Sequence, residues 1–269
     1  MIIAQISDMH VTAEDGLAYR SVDTGAHLER AVRHLLALSP RPEAVLATGD
    51  LVDAASPDEY ARLRALLAPL PMPVYLVPGN HDDRRALAAA FADHRYLPRE
   101  GFMHYVIDQY PVRLVVLDTL VPGEGGGLMC EARLQWLDAR LREAAARPTM
   151  VVMHHPPFKT GISFMDGYGL ANADAMAAVI QRHPQVERIV CGHLHRPIQR
   201  RWAGTVVQTA PSTAHQVDLN LHPGTPSGYI MEPPACLLHV WSEALGLVTH
   251  TSYIGDYGGP QPFRMPSPA

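Results

Sequence analysis

Short apolar runs alternate along the first two thirds of the chain with stretches in which apolar residues return every three or four positions. Ile2 to Ser7 reads as a buried strand, and Ala26 to Leu38 carries Leu28, Ala31, Val32, Leu35 and Leu36 at helical spacing before Ser39-Pro40 closes it. The unit repeats as strand Ala44 to Thr48, helix Pro57 to Ala68, strand Val74 to Val77 and helix Asp83 to Ala92. Strands that alternate with helices predict a mostly parallel sheet with helices outside it. A second group follows. Phe102 to Asp108 and Arg113 to Asp118 form a strand pair, a glycine-rich loop leads into a helix over Glu131 to Ala146, and strands at Thr149 to Met153 and Arg188 to Cys191 enclose a helix from Asn172 to Arg182.

Beyond His195 the pattern becomes that of hairpins: Ile198 to Trp202 with Thr205 to Thr209 about Ala203-Gly204, then Leu237 to Trp241 with Leu247 to Ile254. Two facing sheets are expected, in one domain over 1–255, with 196–255 completing the second sheet. Between the hairpins, 215–234 is rich in Pro and Gly, and a connection of that length predicts a lid or a subunit contact. Residues 256–269 form a Pro/Gly-rich tail, either mobile or an arm on a neighbour.

Composition narrows the function classes. With 22 basic against 27 acidic residues the net charge is −5, so the basic stripe that long nucleic acids require is missing. Three cysteines without CxxC spacing suggest neither a disulfide framework nor a zinc knuckle, and a reducing cytoplasm fits. No basic leader precedes Ile2 and no apolar run approaches the ~18 residues of a membrane span, so a soluble, unprocessed protein is expected.

The chemistry lies at the strand ends. Asp8-x-His10, Gly49-Asp50-x-x-Asp53, Gly79-Asn80-His81-Asp82, His154 and Gly192-His193-x-His195 each follow an apolar run, and ligands of α/β sheets gather beyond those carboxyl ends. Carboxylate and amide oxygens with imidazoles are the ligands of divalent first-row metals, and seven such side chains fill two sites if one carboxylate bridges. Metals held roughly 3.5–4 Å apart perform hydrolytic displacement, above all at phosphorus. Extended backbone is expected to project Asp8 with His10, and His193 with His195, to one side, while Gly49, Gly79 and Gly192 allow sharp turns.

These motifs resemble the calcineurin-like metallophosphoesterase superfamily. The spacings, Tyr19, Met153-His154-His155-Pro156-Pro157 and Ala214-His215-Gln216-Val217 resemble its branch of class III cyclic-nucleotide phosphodiesterases and bacterial glycerophosphodiesterases. The resemblance implies a four-layer αββα sandwich of two mixed β-sheets flanked by helices, with two divalent or trivalent ions (Fe, Mn, Zn or Co). Asp8, His10, Asp50 and His195 would hold one ion, and Asp50, Asn80, His154 and His193 the other. It further implies substrate contacts from Tyr19 and His215 and a homo-oligomer, a dimer or larger.

The expected reaction is attack of a metal-bound hydroxide on the phosphorus of a small phosphodiester, a 3′,5′-cyclic nucleotide or a glycerophosphodiester. Asp50, Asn80 and His81 are the catalytic candidates, with His81 orienting substrate or protonating the leaving alkoxide. Two rivals stand beside this reading: a phosphomonoesterase using the same centre, and a scaffold that kept the fold without the chemistry.

Other residues have plainer readings. Asp53 and Asp82 either orient imidazoles or place charge at helix starts. His155 reads as a ligand's neighbour and Cys191 as a small core residue. The loop Gly123-x-Gly125-Gly126-Gly127 lacks the spacing of a nucleotide fingerprint.

Overall fold

A computed structural model describes residues 1–263; 264–269, the last part of the tail, lie outside the described residues. The first three units are β1 (Ile2–Ile6), α1 (Thr24–Ala37), β2 (Ala44–Thr48), α2 (Pro57–Leu67), β3 (Val74–Val77) and α3 (Arg84–Ala90). Each helix starts at a side-chain cap. Asp23 accepts from the Ala26 N–H, Ser56 forms a capping box with Glu59 ahead of Pro57, and Asp83 accepts from the Arg85 and Ala86 N–H groups.

Next come β4 (Tyr105–Ile107), β5 (Arg113–Val116), β6 (Gly127–Leu128), α4 (Glu131–Arg142), β7 (Thr149–Val152), β8 (Leu170–Ala171), α5 (Ala173–Ile180) and β9 (Val186–Cys191). β4 is shorter than the apolar run beginning at Phe102. Its start is taken over by side chains, because Asp118 accepts from the Met103 N–H and His104 Nδ1 accepts from the Asp118 N–H, at 2.9 and 3.0 Å.

The chain ends in β10 (Gln199–Trp202), β11 (Thr205–Thr209), the short pair β12 (Gln216–Val217) and β13 (Tyr229–Ile230), and β14 (Ala235–Ser242) with β15 (Gly246–Tyr253). Two large mixed sheets result, in the orders β15-β14-β1-β2-β3 and β10-β11-β9-β7-β5-β4. Their centres are parallel and their hairpin edges antiparallel.

The last hairpin corrects the assignment of 196–255 to the second sheet. Only β10 and β11 go there. β14 pairs antiparallel with β1, Ile2 opposite Val240 and Gln5 opposite Leu237, and so covers the open edge of the first sheet. The buried His239 is accommodated by donating to Gln5 Oε1 at 3.1 Å and accepting from Thr249 Oγ1 at 2.9 Å.

Strand periodicity explains the four layers. On β5 and β7, Leu114, Val116, Met150 and Val152 join Ile3, Ile6 and Leu46 in the core that contains α1 to α3, while Val115 and Val151, with Met153 just past β7, pack with Leu137 and Leu141 of α4 and Val179 of α5. A strand buried on both faces reads as a continuous apolar run, which is how these appear in the sequence. None of the helices among the described residues is long and apolar enough to cross a membrane.

Candidate metal centre

The carboxyl ends of β1, β2, β3, β7 and β9 meet at one place, and all seven predicted ligands lie there. Donor atoms of Asp8, His10, Asp50 and His195 fall within 4.8 Å of one another. Beside them Asn80 Oδ1 stands 3.1 Å from His154 Nε2 and 3.0 Å from His193 Nδ1. Asp50 faces both groups, with Oδ2 3.6 Å from His10 Nε2 and Oδ1 3.4 Å from His154 Nε2.

The backbone that achieves this is not extended. Asp8 (φ 51°), His10 (43°), Asp50 (46°), His193 (71°) and His195 (48°) all occupy the left-handed region, which corrects the expected two-residue alternation. The strands end where these residues begin, and the reversed twist turns each side chain inward. Such conformations are costly for residues with a Cβ and persist where surrounding contacts enforce them. Here Asp8 N–H donates to Gly49 O and His10 N–H to Asp50 O, while the Asp8 carboxylate accepts the His193 N–H.

The glycines also act differently from expectation. Of Gly49, Gly79 and Gly192, Gly49 alone has a positive φ, 93°. Gly79 and Gly192 are needed for close approach: a Cβ on Gly79 would lie 2.2 Å from Asp50 N, and one on Gly192 2.1 Å from Ser7 Oγ and 2.6 Å from Thr48 O.

Backbone carbonyls fix the imidazole tautomers. Thr48 O accepts from His154 Nδ1–H at 2.8 Å, Tyr168 O from His193 Nε2–H at 3.0 Å and His215 O from His195 Nδ1–H at 3.1 Å. A carbonyl can only accept, so in each neutral ring the opposite nitrogen, His154 Nε2, His193 Nδ1 or His195 Nε2, carries the lone pair. Those lone pairs face other electron-rich atoms: Asn80 Oδ1, Asp50 Oδ1 and, at 3.6 Å, Asp8 Oδ1. Acceptors held face to face in a buried site need a proton or a cation between them, and this donor set fits two cations.

Protonation follows the same field. Burial opposes charge on His154, yet the adjoining Asp50 carboxylate lifts it to about 9. Burial likewise opposes charge on Asp50, but His154 and His10 hold it well below the usual carboxylate range. Asp8 is pushed up to about 6 by burial, with the Asp50 charge adding to the shift against the pull of His154. Burial, with His154 nearby, takes His193 down to about 3, and burial with His10 nearby lowers His195. Both rings are thus neutral, as ligands must be.

The supporting residues separate cleanly. Asp53 attends two imidazoles, with Oδ1 3.3 Å from His10 Nδ1, off the line of a hydrogen bond, and its carbonyl accepting from His81 Nδ1–H at 2.7 Å. Asp82 fills neither expected role. It accepts from Gly79 N–H, Leu51 N–H and the Tyr60 hydroxyl, tying the β2 and β3 loops, and the helix cap is Asp83 instead. His155 has both nitrogens engaged, by Thr119 Oγ1 and Gly125 O, and anchors the glycine-rich loop.

A cavity of about 520 Å³ opens over the centre. His81, Tyr19 and His215, the predicted substrate contacts, all line it. His215 is buried with neither ring nitrogen hydrogen-bonded, and burial takes it down to about 3. The segment 215–234 supplies part of the wall through Val217, Ser227, Gly228 and Tyr229, and Arg196 holds it by donating to Val217 O and pairing with Glu232 at 2.8 Å. Phe164, Tyr168 and Tyr229 escape sequence reasoning, since aromatic residues in loops read as surface or packing. Another recess, about 550 Å³ and lined by Arg64, Tyr75, Phe91 and Tyr96, lies away from the strand ends and brings no metal-ligating group of the described residues together.

Known proteins resemble the chain in sequence and in fold. Over 264 residues the chain is 36% identical to a probable glycerophosphodiester phosphodiesterase of Arcobacter nitrofigilis, covering 98% of this chain and 97% of that one. It is 32% identical to a 3′,5′-cyclic adenosine monophosphate phosphodiesterase of Pseudomonas aeruginosa, over 80% of this chain and 77% of that one. A dimetal phosphatase of Danio rerio shares the fold, with a TM-score of 0.67 at 18% identity over 93% of this chain and 98% of that one. The sequence model of the calcineurin-like phosphoesterases spans residues 1–197, the stretch that contributes every strand end of the centre, and the chain belongs to that family.

Proposed function

We propose that the protein is a metal-dependent phosphodiesterase acting on small diesters, a 3′,5′-cyclic nucleotide or a glycerophosphodiester. The observation that carries this reading is the set of lone pairs turned toward one another around Asp50, in a chain whose relatives are named for those two reactions. Asp8, His10, Asp50 and His195 would hold one ion and Asp50, Asn80, His154 and His193 the second, with Asp50 shared. Nitrogen-rich donors favour Fe, Mn, Zn or Co over Mg or Ca. Paired cations, when bound, make water acidic enough to ionise near neutral pH and neutralise charge building on phosphoryl oxygens.

The chain's own groups do the rest. Asn80 offers its amide oxygen between His154 and His193, where the three would share one ion, while Thr48 O and Tyr168 O keep the two rings in place. His81 Nδ1–H is anchored on Asp53 O, which leaves Nε2 to orient the substrate or, when the ring is an imidazolium, to pass its proton to the departing alkoxide. Tyr19 and His215 contact the substrate from the cavity wall. Residues 1–255 act as one catalytic domain with 256–269 as its tail, in a homo-oligomer. A cytoplasmic location is supported by three unpaired cysteines.

The test is steady-state kinetics of metal-loaded protein on matched mono- and diesters, with Asp50→Ala as control. Diester turnover that Asp50→Ala abolishes is expected; turnover of monoesters alone would overturn the reading.

A further inference from the structure

Four aromatic rings stand around the mouth of the cavity, and none takes part in the centre beneath through its side chain. Tyr19 and Tyr229 are stacked with centroids 4.9 Å apart and planes 23° apart, and both meet the His215 ring nearly at right angles. Phe164 and Tyr168 meet edge to face at 5.2 Å. All four line the cavity, yet each leaves about half its surface in solvent. Packing does not require that, since rings that serve only the core are buried, as Tyr60 and Tyr75 are here.

Unrelated contacts hold these rings in place. Tyr19 sits in the left-handed region at φ 50°, within a tight turn closed between Ala18 and Val22. The Tyr229 hydroxyl lies 2.6 Å from Ser21 Oγ. Tyr168 is fixed by its carbonyl, which accepts from the His193 ring Nε2–H. Rigid rings that present open faces are a preorganised stacking surface, and a ligand that lands there loses little to ordering the protein.

We propose that this rim is the leaving-group subsite, and that it selects diesters bearing a planar heteroaromatic base over those bearing a small alkyl ammonium or polyol. This rests on the phosphodiesterase reading above. Two observations favour the base. The stacked pair Tyr19–Tyr229 is extended naturally by a third flat ring, whereas an ammonium cage needs ring faces converging on one point. Among the described residues Asp50, deep in the centre, is the one carboxylate that lines the cavity, and the nearby Asp53 carboxylate is already shared between His10 and His81, so an ammonium head group has no free ion-pair partner there. The volume, about 520 Å³, lies in the range of small-ligand pockets, roughly 300–1,000 Å³.

The test compares kcat/KM for 3′,5′-cAMP with that for glycerophosphoethanolamine, using metal-loaded wild type, Tyr229→Leu, Phe164→Leu and Tyr229→Phe. Adenosine, which carries no phosphate, is assayed as a competitive inhibitor. Wild type is expected to prefer the cyclic nucleotide and to be inhibited by adenosine. In the two leucine variants that preference falls about tenfold or more, through KM, and adenosine inhibition weakens in step, the scale of one lost base–aromatic contact. Tyr229→Phe, which keeps the ring, retains the preference. Equal losses on both substrates, or no adenosine inhibition of wild type, would overturn the subsite while leaving the phosphodiesterase intact. If neither diester is turned over by metal-loaded protein, the functional reading itself fails.

Discussion

Gly192→Ala isolates how the site depends on close packing rather than on backbone freedom. Gly192 has an ordinary φ, so alanine adds only one methyl group. That methyl would lie 2.1 Å from Ser7 Oγ, 2.6 Å from Thr48 O and 3.0 Å from Asp8 Oδ2. Ser7 Oγ can rotate away. Thr48 O cannot, because it ends β2 and accepts from His154 Nδ1–H. The β9 loop must therefore move by something near 1 Å, and overpacking of that kind costs about 1–3 kcal/mol. Gly192 N–H also donates to His154 O, so the shift is passed to ligands on both sides. We expect the thermal midpoint to fall by about 5 °C and activity on an aryl diester to fall on the order of 100-fold, as misplacement by 1 Å produces elsewhere. Metal analysis and equilibrium metal titration should show weakened binding. Adding Ser7→Ala removes the shortest contact and should restore part of the loss. A Gly192→Ala protein that binds two ions at wild-type affinity and turns over within threefold of wild type would refute the reasoning.

Gly204→Ala supplies the contrast: φ is 93° and nothing lies within 4 Å of the new methyl, so calorimetry should show about 1 kcal/mol of destabilisation with kcat unchanged. His81→Ala should slow alkyl diesters by about 10²–10⁴-fold and p-nitrophenyl diesters far less, because a good leaving group needs no proton; equal losses on both would remove His81 as the donor. Metal loading at pH 7 should release protons, since His154, held at about 9, must give one up to ligate, and affinity should rise with pH up to that value; calorimetry in buffers of different ionisation enthalpy measures it. His239 is held down to about 3 by burial, with Arg188 adding to the effect. Its folded pKa lies below the unfolded value near 6.5, so the unfolded chain takes the proton first. The stability it contributes is present above pH 6.5 and lost as pH falls toward 3. Denaturant titrations of His239→Gln across that window should therefore show a shallower decline, by up to about 1.4 kcal/mol per pH unit.

Much of this was legible from spacing. Apolar runs marked nearly every strand of the two sheets, and the five Asp, Asn and His motifs meet at strand ends as their positions require. What the sequence withheld depends on contacts distant along the chain. Leu237 to Trp241 carries no sign of which sheet it joins; that follows from the open edge of β1, over 230 residues away. The shortened β4 depends on an Asp118–His104 exchange that competes with the ladder. The tautomers of His154, His193 and His195 are set by backbone carbonyls, which every residue possesses and no residue type signals.

The left-handed ligands show why motif and geometry diverged. A strand that simply continued past Ile6 or Cys191 would carry alternate side chains to opposite faces of its sheet and remain in the ladder, with its donors spread along the edge. Reversing φ at Asp8, His10, Asp50, His193 and His195 ends the ladder and turns these five side chains into the two adjoining ligand groups. These conformations need support from neighbours, and the neighbours are the ligand loops themselves: Asp8 N–H on Gly49 O, His10 N–H on Asp50 O, His193 N–H on the Asp8 carboxylate, His81 N–H on Asp50 Oδ1. Each loop is thus held by another loop of the centre. It follows that a change in one ligand segment is felt in the rest, and that substitutions in separate loops should combine non-additively in metal affinity.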